Sequence, residues 1–415
     1  MTKGPRTSGL AGAGVGLTAI PTSTRRRYAR SRKSAADAAA NSLEPSAGLL
    51  DRVTFVADLG SGSMATCSRY LARELGTKVV YTRAYERAAL SEGMSALDPR
   101  SLPILARDLH FVHSLRRIRG VVHLSNHHLA RFGRFLASPF VVTVHDLIRL
   151  LDMDAAAGPL IRKPALRDRA LYRLDHDGIR RATALIAPSE ATRRDLIRLL
   201  DIPGERVTVV YNGIDHERFR PTHRRVADRS YILFVGVEHP RKNVIALLRA
   251  FSSLKRDSRW RDLRLVKVGG PGYRGEPFRR RTLEVISALG LEREVELADR
   301  VEGDDMVAYY SGAECLVVPS LYEGFGLPAI EAMACGCPVI VSDRASLPEI
   351  AGDAAVVTGT DPEEIAEAIR GLLSSAERRA SLRRRGLEHA RKFTWAAAAA
   401  RTREVYRAVL AREPR

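Results

Sequence analysis

Short apolar runs alternate with longer amphipathic stretches along most of the chain, a pattern typical of parallel α/β sheets. In the first half the runs are Val53–Ala57, Lys78–Tyr81, Gly120–Leu124, Phe140–Val144, Ala184–Ala187 and Val207–Tyr211. In the second half they are Tyr231–Val235, Leu263–Val268, Glu294–Leu297, Glu314–Val318, Pro338–Val341 and Ala355–Val357. Each set suffices for its own sheet. The pattern therefore predicts an α/β fold with two Rossmann-like, doubly wound parallel-sheet domains.

The stretches between the runs indicate where the domains begin and end. Residues 218–230 are polar, contain Pro221 and lack apolar periodicity, which indicates a linker. Thr394 is a suitable N-cap for a last helix from about Ala396 to Leu410. We expect a flexible basic extension, a first domain, a second domain and a C-terminal helix that returns to the first domain: residues 1–48, 49–220, 221–395 and 396–415.

Composition narrows the class of protein. A chain of 415 residues with 45% hydrophobic and 28% charged residues is typical of a soluble globular protein with two cores. No window approaches the roughly 18–20 apolar residues that span a bilayer. Four cysteines without a CxxC pair exclude a disulfide framework and favour a reducing cytoplasm.

The net charge of +19 favours anionic partners, or it reflects only an arginine-rich composition. Residues 1–50 carry eight Lys/Arg against Asp37 and Glu44. This basic extension is a candidate for peripheral contact with an anionic inner-membrane surface. The stretch Ile104–Arg119 is either a helix on that surface or a sheet-packing helix with a basic solvent face. The cations lack interleaved aromatic residues, so we expect no nucleic acid.

One segment of the second half carries most of the candidate chemistry. After the run Glu314–Val318, Gly324 and Gly326 permit close backbone approach to a ligand, and Pro328 suits the start of a helix. Amides at such a helix start bind phosphate well. Glu323 precedes this loop and Glu331 follows it on the helix, where a carboxylate suits the hydroxyls of a ribose.

Further candidates follow other strands. Arg241 and Lys242 come after Tyr231–Val235, where two cations can neutralise a diphosphate. His145 follows Phe140–Val144 and could hydrogen-bond a sugar, although a structural histidine is the alternative. Gly62 lies in a glycine loop after the first run, which is weak evidence by itself.

The segment EGFGLPAIEAMACGCPVI resembles the E-x7-E signature of glycosyltransferase family 4, retaining enzymes of the GT-B architecture. The resemblance implies two Rossmann-like domains facing a cleft, a nucleoside-diphosphate sugar as donor, no bound cofactor and no required metal. It implies that Glu323 contacts the donor sugar and Glu331 the ribose. It also implies that the amides of the glycine loop contact sugar hydroxyls and the diphosphate: Gly324, Phe325, Gly326 and Leu327.

The remaining candidates resemble the family less closely. Lys242 matches the family's diphosphate-binding loop, and Arg241 replaces the arginine that many members carry where Val237 stands. His145 matches a family histidine beside the donor sugar. The loop at Gly62 departs from the usual GGxGR form, which leaves its acceptor contacts open.

The expected function is transfer of a hexose to a glycan or lipid-linked acceptor. The E-x-P-R-K-N-like spacing is similar to that of family subgroups that often use GDP-mannose, so the resemblance slightly favours this donor, with a UDP-sugar next. The alternatives are a sugar-nucleotide epimerase of the same architecture and a basic nucleic-acid-binding protein. His123, His127 and His128 lack the spacing of a zinc site, so we assign them acceptor or sheet-edge roles.

Overall fold

Two six-stranded parallel sheets dominate the computed structural model, which describes residues 47–58, 62–82, 111–151, 166–224, 226, 229–272, 275–299, 301 and 303–412. Residues 49–415 form one compact unit. We call the first sheet with its helices the first lobe, and the second sheet with its helices the second lobe. The predicted α/β fold with two Rossmann-like sheets is confirmed.

All twelve predicted runs are strands, with ends that differ by at most two residues. The first lobe contains β1 Val53–Asp58, β2 Lys78–Thr82, β3 Val121–Leu124, β4 Phe140–Thr143, β5 Ala184–Ala187 and β6 Val207–Val209. The second contains β7 Tyr231–Val235, β8 Arg264–Val268, β9 Val295–Ala298, β10 Cys315–Val318, β11 Val339–Ser342 and β12 Val356–Thr358. The central strands are buried on both faces, which explains their unbroken apolar composition.

Strand order places the crevices in which ligands bind. The orders are β2-β1-β3-β4-β5-β6 and β12-β11-β10-β7-β8-β9. The order reverses between β1 and β3 in the first sheet and between β7 and β10 in the second. In open parallel sheets the crevice lies at the carboxyl ends of such strands. Ligand-binding residues are therefore expected in the loops after β7 and β10 and in the segment after β3.

Helices connect the strands and cover both sheets. In the first lobe they are Ala47–Leu50, Ser63–Leu75, Ile148–Leu151, Leu166–Arg181 and Glu190–Leu200. In the second they are Val244–Leu254, Glu276–Ala288, Asp304–Gly312, Leu327–Ala334, Leu347–Ala351, Pro362–Leu373 and Ala376–Ala390, followed by Trp395–Leu410. Short 3-10 helices are His127–Phe135, Gly204–Arg206, Pro240–Lys242, Ser258–Trp260 and Gly352–Ala354.

The C-terminal helix Trp395–Leu410 belongs to the second half of the sequence but packs on the first lobe. Thr394 Oγ1 accepts a hydrogen bond from the Ala397 amide at 3.1 Å, as its predicted capping role requires. Tyr406 packs in the core with Phe55 and contacts His123 Nδ1 at 2.6 Å. The predicted return of this helix to the first lobe is confirmed.

Some predicted segments lie outside the described residues. These are residues 1–46, the start of the predicted helix Ile104–Arg119, and part of the predicted linker. Within the described part of that predicted helix, residues 111–116 are helical. Within the described ranges, none of the helices has both the length and the apolar character that a membrane span requires.

Candidate functional site

The switch point of the second sheet brings Glu323 together with Arg241 and Lys242. Glu323 lies on the loop after β10, and both cations belong to the 3-10 helix Pro240–Lys242 after β7. Glu323 Oε1 accepts hydrogen bonds from Lys242 Nζ at 2.6 Å and Ser320 Oγ at 2.7 Å. Glu323 Oε2 accepts one from Arg241 Nη1 at 3.0 Å. We call these four residues the donor cluster.

The donor cluster is a buried charge network. Glu323 and Lys242 are each 8% exposed. Burial alone would raise the pKa of Glu323, but Lys242 and Arg241 outweigh it and hold that pKa at about 2. One carboxylate facing two cations leaves a surplus positive charge. Positive charge at the carboxyl ends of β7 and β10 suits a diphosphate.

The glycine loop after Glu323 is held in place by a neighbouring serine. Ser346 Oγ bonds the carbonyl oxygens of Glu323 at 2.8 Å and Phe325 at 3.0 Å. Gly326 has a φ of 105°, a conformation that favours glycine, and the helix Leu327–Ala334 starts directly after it. Within the described ranges the amides of residues 324–327 donate no backbone hydrogen bond. These amides are therefore available to an anion at the helix start.

Glu331 occupies a different position from Glu323. Tyr310, on the preceding helix, donates a hydrogen bond from its hydroxyl to Glu331 Oε2 at 2.8 Å. Burial raises the pKa of Glu331, while the Tyr310 hydrogen bond and the positive charge of Arg218 oppose the rise. Because Tyr310 uses only one of the two carboxylate oxygens, Glu331 retains capacity to accept hydrogen bonds from vicinal hydroxyls.

The first lobe meets this loop through His145 and Asp146. A Cβ atom at Gly324 would lie 1.9 Å from the His145 carbonyl oxygen and 3.1 Å from Asp146 Cβ. The Gly324 carbonyl oxygen accepts a hydrogen bond from Ser189 Oγ at 2.8 Å. Glycine at 324 is therefore required for the close approach of the two lobes. Ser189 also caps its own helix, because its Oγ accepts a hydrogen bond from the Thr192 amide at 3.1 Å.

His145 is buried and neutral. Burial lowers the pKa of His145, and its Nε2 lies 3.0 Å from the Ser125 carbonyl oxygen. A carbonyl oxygen only accepts, so Nε2 carries the proton and Nδ1 is an acceptor. His145 thus has a structural partner, and the nitrogen left over can accept a hydrogen bond from a hydroxyl. The glycine loop before Gly62 lies largely outside the described residues.

Several residues that hold the site were not predicted. Glu238, in the loop that carries the cations, is 2% exposed and accepts from Lys267 Nζ at 2.5 Å and Arg279 Nε at 2.7 Å. It ties the loop after β7 to β8 and to the helix Glu276–Ala288. Ser320 and Tyr310 also escaped prediction. The sequence does show a glutamate in this loop, but it does not show the partners of that glutamate, which are 29 and 41 positions away.

The three histidines of the segment from β3 to the following 3-10 helix take separate roles. His123 is buried, with Nδ1 2.6 Å from the Tyr406 hydroxyl and Nε2 2.8 Å from Thr143 Oγ1. His127 and His128 line a cavity beside the short helix Ile148–Leu151. We call it the histidine cavity. Among the described residues there is no group of three His, Cys, Asp or Glu side chains that could hold a metal ion.

Two family models match consecutive parts of the chain. The model described as Glycosyltransferase Family 4 matches residues 63–218, and that described as Glycosyl transferases group 1 matches residues 215–389. The second match contains both glutamates and both cations of the site. The two matches meet at the boundary between the lobes, and together they contain every strand of the two sheets except β1.

Curated relatives agree with these matches. "D-inositol 3-phosphate glycosyltransferase 2" of Catenulispora acidiphila is 35% identical over 238 residues, which are 54% of this chain and 56% of that protein. "MMP alpha-(1->4)-mannosyltransferase" of Mycolicibacterium hassiacum is 32% identical over 286 residues, 66% of each chain. The chain therefore spans just over half of the first relative's length and about two thirds of the second's.

Solved structures share the architecture. Sucrose-phosphate synthase from Thermosynechococcus elongatus has a TM-score of 0.70 at 20% identity, covering 88% of this chain and 100% of that one. Anabaena HepE in complex with UDP-glucose has a TM-score of 0.68 at 17% identity, covering 86% and 99%. At such identities the likeness shows the two-domain fold alone.

Proposed function

The chain belongs to glycosyltransferase family 4, and on that premise we propose that it is a retaining glycosyltransferase that moves a hexose from a nucleoside-diphosphate sugar to a glycan or lipid-linked acceptor. The observation that carries the proposal is the donor cluster. It combines a buried carboxylate with two cations, and it lies beside the free helix-start amides at the switch point of one sheet. In the proposal, residues 221–395 bind the donor and residues 49–220 face the acceptor.

Each group of the site has a role in the proposed reaction. Arg241, Lys242 and the amides of the glycine loop stabilise the negative charge that develops on the leaving diphosphate. Glu323 orients both cations and faces the sugar, and His145 Nδ1 accepts a hydrogen bond from a sugar hydroxyl. Glu331 binds the ribose. As in the family, the leaving phosphate itself assists deprotonation of the acceptor, so the proposal requires no separate base and no metal.

The proposed donor is GDP-mannose first and a UDP-sugar second. One relative is named as a mannosyltransferase, and the structure of HepE contains UDP-glucose. Both donors belong in the same experiment. Binding of GDP-mannose and UDP-glucose is measured by calorimetry, and release of GDP or UDP by a coupled assay. A preference for GDP-mannose supports the finer proposal, and a preference for UDP-glucose replaces it with the second.

Variants at Lys242 and Glu331 test the assignment itself. Lys242→Gln and Glu331→Gln each remove one charged hydrogen-bond partner, which costs about 1.5–3 kcal/mol of donor binding, or about 10- to 150-fold in Kd. Glu363→Gln is the matched control, because Glu363 is exposed on the helix Pro362–Leu373. Wild-type donor affinity in both site variants would refute the proposal. If the protein converts a sugar nucleotide to its epimer in the absence of any acceptor, the result would favour the alternative that the protein is a sugar-nucleotide epimerase.

A further inference from the structure

The segment that follows β11 contacts the glycine loop on one side and the first lobe on the other. It begins at Ser346 and continues as the short helix Leu347–Ala351 of the second lobe. Ser346 Oγ lies 2.8 Å from the Glu323 carbonyl oxygen and 3.0 Å from that of Phe325. Because Ser346 is fully buried, water does not compete for these contacts. The shape of the glycine loop therefore depends on the position of this segment.

Glu349, on the same short helix, reaches across to the first lobe. Its Oε1 accepts a hydrogen bond from the Glu190 amide at 2.7 Å, and its Oε2 accepts one from the Ala191 amide at 3.1 Å. Both amides belong to the start of the helix Glu190–Leu200, where the first N–H groups have no acceptor within the helix. The Glu349 carboxylate is therefore an N-terminal cap that the second lobe supplies to a helix of the first lobe.

The other amides at this helix start are capped from within the first lobe. Ser189 Oγ accepts a hydrogen bond from the Thr192 amide at 3.1 Å, and the Ser189 carbonyl oxygen accepts one from the Arg193 amide at 3.0 Å. Glu349 thus supplies the partners that this helix start still lacks. Its negative charge also interacts favourably with the positive end of the helix dipole. This complete set of caps exists only while the two lobes are closed.

The capped helix also contacts the glycine loop. The Gly324 carbonyl oxygen accepts a hydrogen bond from Ser189 Oγ at 2.8 Å and lies 3.3 Å from Thr192 Oγ1. Ser346 contacts the carbonyl groups of the residues on either side of Gly324. The glycine loop is therefore held from both lobes, and Glu349 joins the two elements that hold it. Separation of the lobes must break the hydrogen bonds of Glu349 and Ser189 together.

We propose that Glu349 is a positioning residue whose carboxylate, with its two amide partners, forms an interlobe latch that keeps the lobes closed around the glycine loop. Closure is a property of the chain and does not depend on the proposed function. Its consequence for the reaction rests on that function, because closure brings His145 to the sugar-binding loop and excludes water. The Tyr322 hydroxyl also bonds Asp195 Oδ2 across the lobes, at 2.8 Å. We therefore expect loss of the latch to favour opening without unfolding either lobe.

The distance between two spin labels, one on each lobe, measures closure directly. All four native cysteines are buried, so labels attach selectively to cysteines introduced at exposed positions. Arg73→Cys on the helix Ser63–Leu75 and Glu367→Cys on the helix Pro362–Leu373 provide such positions. Pulsed electron–electron double resonance compares this labelled protein with and without Glu349→Ala. We expect the ratio of open to closed molecules to rise about 5- to 30-fold, the range that follows from loss of a helix cap.

Two further variants distinguish the latch from a general loss of packing. Glu349→Gln keeps one oxygen that can accept an amide hydrogen bond but loses the charge, so it should open less than Glu349→Ala. Glu363→Ala is the matched control, because Glu363 is an exposed glutamate in the first turn of another helix of the second lobe. Its distance distribution should equal that of the wild type. Circular dichroism verifies that each variant is folded.

Ligand binding provides a readout that a purely structural residue would not change selectively. GDP and UDP contact only the second lobe in the proposed function, whereas the sugar of GDP-mannose or UDP-glucose also meets His145. Glu349→Ala should therefore bind GDP or UDP within about twofold of the wild type, because the donor cluster is distant from the latch. It should bind the nucleotide sugar about 5- to 30-fold more weakly, and a saturating nucleotide sugar should restore the closed distance.

The possible results separate this inference from the proposed function. An unchanged distance distribution in Glu349→Ala overturns the inference, and so does an equal change in Glu363→Ala. Equal losses of affinity for nucleotide and nucleotide sugar overturn it as well, because they indicate a damaged donor site rather than an open cleft. Failure of GDP, UDP and both nucleotide sugars to bind the wild type refutes the proposed function. The distances measured without ligand then still decide whether Glu349 keeps the lobes closed.

Discussion

Replacement of Glu323 by glutamine should destabilise the second lobe in a pH-dependent manner. The carboxylate bridges Lys242 and Arg241 and is 8% exposed. Glutamine has nearly the same size but leaves two neighbouring cations without their shared anion. Removal of one partner from a buried ion pair costs about 3–5 kcal/mol, because the charge left behind is uncompensated.

The pKa of Glu323 gives a second measure of the same quantity. Its pKa falls from 4.5 to about 2 in the folded protein, and at about 1.4 kcal/mol per pH unit this difference corresponds to about 3 kcal/mol. The folded-state pKa lies below the unfolded value. The contribution is therefore fully present above about pH 5, and it is lost as the pH falls through 4.5 towards 2.

Urea unfolding followed by tryptophan fluorescence measures the effect, since Trp260 packs against the core of the second lobe. We expect Glu323→Gln to lose about 3 kcal/mol of unfolding free energy between pH 5.5 and 8, and the gap to the wild type to narrow at pH 4. Glu284→Gln is the control, because Glu284 pairs with Arg281 on an exposed surface. A loss below about 1 kcal/mol at pH 7, or a gap that widens on acidification, would refute the reasoning.

Two further substitutions probe the contact between the lobes and the packing of the C-terminal helix. Gly324→Ala should weaken donor binding about tenfold or more, because the new methyl group would lie 1.9 Å from the His145 carbonyl oxygen and the lobes must separate. The control Gly371→Ala, at an exposed position of a helix, should leave donor binding unchanged. Calorimetry measures donor binding by both variants. Tyr406→Phe removes the partner of the buried His123 Nδ1 and should lower the unfolding free energy by about 1–3 kcal/mol, measured by urea unfolding.

The strands were predictable because burial on both faces imposes a simple pattern. A central parallel strand such as Cys315–Val318 is apolar throughout, and a sequence contains that information locally. The strand ends were less predictable. The last strand of the first sheet ends at Val209 rather than Tyr211, because Tyr211 is 42% exposed where the chain leaves the sheet. Local composition does not report where a hydrogen-bonded ladder stops.

In the candidate site, too, some features could be predicted from local sequence and others could not. Glycines, a proline and a helix start are local features, so the loop from Glu323 to Leu327 could be predicted from its residues. The contact of Glu323 with Lys242 spans 81 positions and depends on β7 and β10 being neighbours. Strand order is set by packing of the whole lobe, which no local pattern specifies.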